Sequence, residues 1–133
     1  MNRKFMISVV AMFVMSMAIG FVVHGLILSH DYMQLPALFR TEQDQMQFFP
    51  DMLLAHVFVA IGFVWIYLRG REDKPFLIQG IRYGVAIVVL TTIPTYLIYY
   101  AVQPMPGLVV IKQIVFDGIG VLLMAVVVAW LNK

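Results

Sequence analysis

The chain of 133 residues contains no cysteine. Disulfides, thiolate nucleophiles and cysteine-held metals are excluded with it. Charge is scarce: Asp, Glu, Lys and Arg make up 12% of residues, and the net charge is +2. Nucleic acid is therefore not an expected partner, because neutralising phosphates takes a dense basic face. No Gly-rich phosphate loop, zinc-ligand spacing, paired carboxylates or nucleophile–base pair is visible. The sequence leans away from catalysis on that ground. Histidine occurs only at His24, His30 and His56.

What the chain has is apolar surface. Hydrophobic residues make up 62% of it, and the mean hydropathy is +0.92. A soluble domain of this size must present a polar exterior, so lipid is the expected solvent. Asn2-Arg3-Lys4 followed by an apolar run resembles a signal peptide. The run continues from Phe5 to Leu28, longer than a secretory core, and predicts an uncleaved first transmembrane helix.

Crossing hydrocarbon takes about 20 apolar residues in a helix. Four stretches meet or approach that length: 5–28, 52–68, 76–102 and 107–131. All are too long for barrel strands. The expected fold is all-α, a four-helix transmembrane bundle running up-down-up-down as one domain over 1–133. Asp51 is the expected N-cap of the second helix, and Pro75 the expected first-turn residue of the third. Pro94 should kink the third helix and free the carbonyl of Leu90. The segment from Asp31 to Pro50 interleaves Tyr32, Leu35, Leu38, Phe39, Met46, Phe48 and Phe49 with polar residues. It reads equally as a short amphipathic helix on the membrane surface or as a cap folded onto the bundle.

Loop charges set the expected orientation. Arg3, Lys4, Arg69, Arg71, Lys74 and Lys133 share one side, and Arg40 stands among acids on the other. The positive-inside rule puts both termini in the cytoplasm. The Arg69–Lys74 cluster serves that topology and can also attract anionic lipids. Small residues offer packing faces: Gly80, Gly84, Thr91 and Thr95 on the third helix, Ala11, Ala18 and Gly25 on the first, and Gly118, Gly120 and Ala125 on the fourth.

Polar residues inside the spans are the functional candidates. Counting about 1.5 Å per residue, His24, His56, Thr95, Tyr96 and Lys112 fall at one outer level, with Asp117 slightly deeper. Gln113, Asp117, Gly120 and Met124 form one helical stripe. Arg82 lies about seven residues in from the inner end of the third helix and is expected to snorkel to the headgroups. Three readings follow. The layer is a buried polar network, with Asp117 paired to Lys112 or a histidine. It is an outward-facing cavity for a lipid headgroup, quinone or other amphiphile, with Tyr96 or Tyr99 as a lid. Or it is a redox site, with His24 and His56 as axial haem ligands. A metal on His24, His56 and Asp117 is a weaker variant. A small transporter-like protomer using Asp117 is a further alternative. Expected partners are membrane lipids and either another membrane subunit, for which this chain would be an accessory, or further copies of itself.

Val23-His24-Gly25 followed by a tyrosine, YLRG after the second span, QGIRYG opening the third, and a Tyr-rich end before Pro104 form a pattern. In it the chain resembles a group of small four-helix bacterial membrane proteins with no assigned activity. The resemblance implies the bacterial inner membrane and carries over no functional residues.

Overall fold

A computed structural model describes residues 2–133. It is all-helical among those residues, with four helices long and apolar enough to cross a membrane. They are Arg3–Ile27, Phe49–Gly70, Phe76–Val102 and Gly107–Leu131. The first comprises α1 (Arg3–Gly20) and a π-helical turn over Phe21–Ile27. Helices α2 (Ser29–Met33) and α3 (Glu42–Gln47) follow in the loop. The second span is α4 (Phe49–Gly70). The third comprises α5 (Phe76–Ile87), a π-helical turn over Val88–Thr92, and α6 (Ile93–Val102). The fourth is α7 (Gly107–Leu131).

Local starts follow backbone chemistry. Asn2 caps α1 by accepting the Lys4 N–H at 3.0 Å. The expected cap of α4 is corrected. The helix begins at Phe49, Pro50 occupies its first turn, and Asp51 lies inside it. Proline has no N–H to lose there, so the helix extends back past Asp51. Pro75 stands one residue before α5 rather than inside it.

Pro94 acts through the turn before it. The Ile93 N–H donates to the Val88 carbonyl, five residues back. A π-turn inserts one residue and rotates everything after it. That rotation changes which face packs. Thr91 and Thr95, expected on the packing face with Gly80 and Gly84, are exposed; Thr92 is buried instead. Thr91 bonds its own helix, at the Ile87 carbonyl.

Tight approach of α5 to α7 rests on glycine. A Cβ on Gly80 would lie 2.6 Å from the Val126 Cα, and one on Gly84 2.8 Å from the Leu122 side chain. Gly118 faces Val88 in the same series, so the two spans run antiparallel. The first and fourth spans are antiparallel too, since Ser8 meets Asn132 and His24 meets Asp117. The second span packs on the first. It meets the third through side chains: the Tyr83 hydroxyl donates to the Phe63 carbonyl at 2.6 Å, and the Tyr83 ring stands edge-on to Phe63 and Tyr67.

The bundle has two unlike ends. The terminal end holds residues 2–4, 71–75 and 132–133; the cap end holds 28–48 and 103–106. The main core lies toward the terminal end, around Met12, Phe63, Val64, Met124 and Val128. Toward the cap end, no residue of 49–59 or 93–102 is buried. There the segment after the first span folds back. Tyr32, Leu35, Leu38 and Phe39 pack on Met105, Val109 and Val110. Helix α3, by contrast, buries nothing and leaves Met46 77% exposed. The segment is thus a cap in its first half and an outlying short helix in its second.

At the terminal end, Arg82 reaches out of the third span to Glu72, which Lys74 also pairs at 2.7 Å. The Arg82 hydrogen bond, and then that of Lys74, hold the Glu72 carboxyl down from 4.5 to about 2. A depressed carboxylate stabilises the fold fully above its ordinary range, and the effect is lost as pH falls toward 2. Wild-type protein should therefore lose thermal stability between those limits more steeply than Glu72→Gln, followed by helical circular dichroism. Parallel curves would contradict the pairing.

Candidate functional site

At the cap end, spans one and three bring His24 and Tyr96 onto Asp117 of span four. Three local features place them. His24 stands in the first π-turn. Tyr96 is one turn beyond the second, whose rotation sets it, rather than Thr95, against α7. Gln113 and Asp117 are one turn apart on α7 and share a face.

The hydrogen bonds form one chain. Gln113 Nε2 donates to the Tyr32 hydroxyl at 3.1 Å. The Tyr32 hydroxyl lies 2.6 Å from His24 Nδ1. With Gln113 donating to its oxygen, the Tyr32 hydroxyl is placed to donate to Nδ1. In the neutral ring this leaves the His24 proton on Nε2, 3.1 Å from Asp117 Oδ2. Tyr96 donates to the same Oδ2. Burial pushes the Tyr32 phenol above its ordinary range; the Gln113 donation opposes this, and the charges of Asp117 and Asp31 add to it. Phe39 stacks on the Tyr32 ring at 4.3 Å and holds it in place.

Two features leave this network open. Both donors to Asp117 use Oδ2, so Oδ1 takes neither of these bonds. The side chains of His24 and Asp117 are 35% and 21% exposed. In addition, Gln113 is 5% exposed, yet its Oε1 has no partner among the described residues. A closed structural network has no reason to leave such a group unsatisfied.

Several expected members lie elsewhere. Lys112 does not pair with Asp117: its ammonium bonds both oxygens of Asp31, at 3.0 and 3.1 Å. The 100° offset between Lys112 and Asp117 on α7 turns the lysine toward the cap instead. His56 is not level with His24. Its Nδ1 bonds Ser16 at 2.9 Å and the far edge of its ring lies against Gly20, about one turn before His24. The two imidazoles therefore do not face each other as a haem pair. No three metal-ligating side chains converge among the described residues, so the His24, His56 and Asp117 set is not assembled. Thr95 and Tyr99 are exposed, and neither joins the hydrogen-bonded chain.

Sequence reasoning missed Asp31 and Tyr32 as site members, because both lie outside the spans where polar residues stand out. It also missed buried Ser8, Gln79 and Asn132 at the terminal end. Ser8 and Gln79 are single polar residues within apolar runs, the one signal that marks them.

The chain matches no protein-family model, no curated protein and no solved structure to which it was compared.

Proposed function

We propose that this is a non-catalytic multi-pass protein of the bacterial inner membrane that binds the polar head of an amphiphile at the Asp117 cluster. In this reading the four spans run up-down-up-down with both termini cytoplasmic, so the cap end faces outward. The basic residues of the terminal end support that orientation, as does the joining of Arg71 to the Asn132 carbonyl at 2.8 Å.

The observation that carries the proposal is the open carboxylate. Hydrocarbon cannot satisfy Asp117 Oδ1, and leaving a carboxylate oxygen bare is costly. A headgroup that donates hydrogen bonds, such as an ammonium or hydroxyl, satisfies Oδ1, and its chains lie along the apolar outer halves of spans two and three. Exposed Leu54, Phe58, Leu97 and Ile98 provide that surface. The same faces serve for docking against a larger complex, which keeps the accessory role as the second reading.

Purification in mild detergent, solvent extraction and mass spectrometry test this. Wild-type protein should release an amphiphile with a donor headgroup, and Asp117→Leu about tenfold less of it. Equal amounts from both proteins would remove the headgroup site. Recovery of a stoichiometric second polypeptide in place of an amphiphile would favour the accessory role.

A further inference from the structure

The terminal end holds a second polar site, unrelated to Asp117. A cavity of about 360 Å³ opens among spans two, three and four, with Tyr67, Arg71, Lys74, Gln79 and Lys133 in its walls. We propose that it binds the phosphate of an anionic phospholipid headgroup at the cytoplasmic membrane surface.

Gln79 carries the argument. It is 5% exposed, and its amide orientation is fixed: Oε1 accepts the Glu72 backbone N–H at 3.2 Å. Turning the amide over would set two donors against each other, so the other atom is necessarily Nε2. That donor is buried and has no partner among the described residues, on a residue that lines the cavity. What enters must therefore bring an acceptor.

The charges select an anion. Glu72 and Asp73 also line the cavity. Glu72 is already matched by Arg82 and Lys74. That leaves the side chains of Arg71 and Lys133 against Asp73 and the main-chain carboxylate of Lys133, so the selection rests on which cations are free to turn inward rather than on net charge. Neither cation is paired with a carboxylate among the described residues, and the Lys133 ammonium sits 5.4 Å from the Phe76 and Trp130 ring centres. Arg71 uses one nitrogen on the Asn132 carbonyl and keeps the rest of its fork. A buried neutral donor beside two such cations suits a phosphate oxygen, and Phe76 supplies an apolar wall for the glycerol.

The test uses full-length protein in detergent, titrated with phosphatidylglycerol and, separately, with inorganic phosphate, and read by native mass spectrometry and thermal unfolding. Wild type should retain one phosphatidylglycerol and gain stability from it, in preference to phosphatidylcholine. Gln79→Leu should bind about tenfold more weakly. Lys133→Ala, at an exposed position, should weaken binding without disturbing the fold, and so serves even where Gln79→Leu does not fold. Stabilisation by inorganic phosphate alone, abolished by the same substitutions, would keep the phosphate site and overturn the lipid as its source. Binding unchanged in Lys133→Ala and in folded Gln79→Leu, or no binding to wild type, overturns the site. None of these outcomes depends on Asp117.

Discussion

Gly80→Val is expected to destabilise the protein by about 3 kcal/mol, at the upper end of overpacking effects. The reason is what a side chain would meet. At Gly80 the nearest atom is backbone, the Val126 Cα at 2.6 Å, followed by the Ala125 carbonyl oxygen at 3.0 Å. Backbone cannot swing aside as a flexible side chain can, so α5 and α7 must separate. In lipid, helix association depends on close packing rather than on the hydrophobic effect, so lost contacts are not offset by burial elsewhere. Gly62 provides the control, with nothing within 4 Å of its added Cβ. Gly62→Ala should be neutral or slightly stabilising, by up to about 1 kcal/mol, since alanine favours a helix. Reversible unfolding in mixed micelles separates the two. A mild Gly80→Val would mean that the α5–α7 contact is looser than the structure has it.

The second large effect is expected at Asp117. Asp117→Leu strands the His24 Nε2–H and the Tyr96 hydroxyl together and should cost about 2 kcal/mol. Asp117→Asn keeps an acceptor and should cost about half as much. The pairing pattern is the sharper test. A double-mutant cycle of Asp117→Leu with Tyr96→Phe should show coupling of about 1 kcal/mol, within the range for hydrogen bonds between membrane helices. The same cycle with Lys112→Met should show almost none, because Lys112 bonds Asp31. Coupling to Lys112 as strong as that to Tyr96 would restore the ion pair that the sequence allowed and the structure does not form.

Run length and hydropathy located all four spans within a few residues, because membrane thickness imposes that length whatever the packing. The stripe of Gln113, Asp117, Gly120 and Met124 was legible because α7 is an uninterrupted α-helix. The third span was not. Pro94 announced an irregularity, but a π-turn carries no side-chain signature, and one inserted residue exchanged Thr91 and Thr95 for Thr92 and Tyr96. The first span hid a similar turn around His24 with no proline to mark it. Depth counting failed for His56 because a level inferred from loop ends ignores how far one helix slides along another. Tyr32 and Asp31 escaped because the backward fold of the cap rests on long-range contacts with Met105, Val109 and Val110.

Nitrogen NMR of the histidine rings, with the bound amphiphile first retained and then extracted, probes the Asp117 cluster most directly. The ring of His24 should show its proton on Nε2 and an accepting Nδ1, and its signals should shift on extraction while those of His56, bonded to Ser16, stay in place. A His24 spectrum indifferent to amphiphile removal, or one that moves only together with His56, would contradict a headgroup held at Asp117.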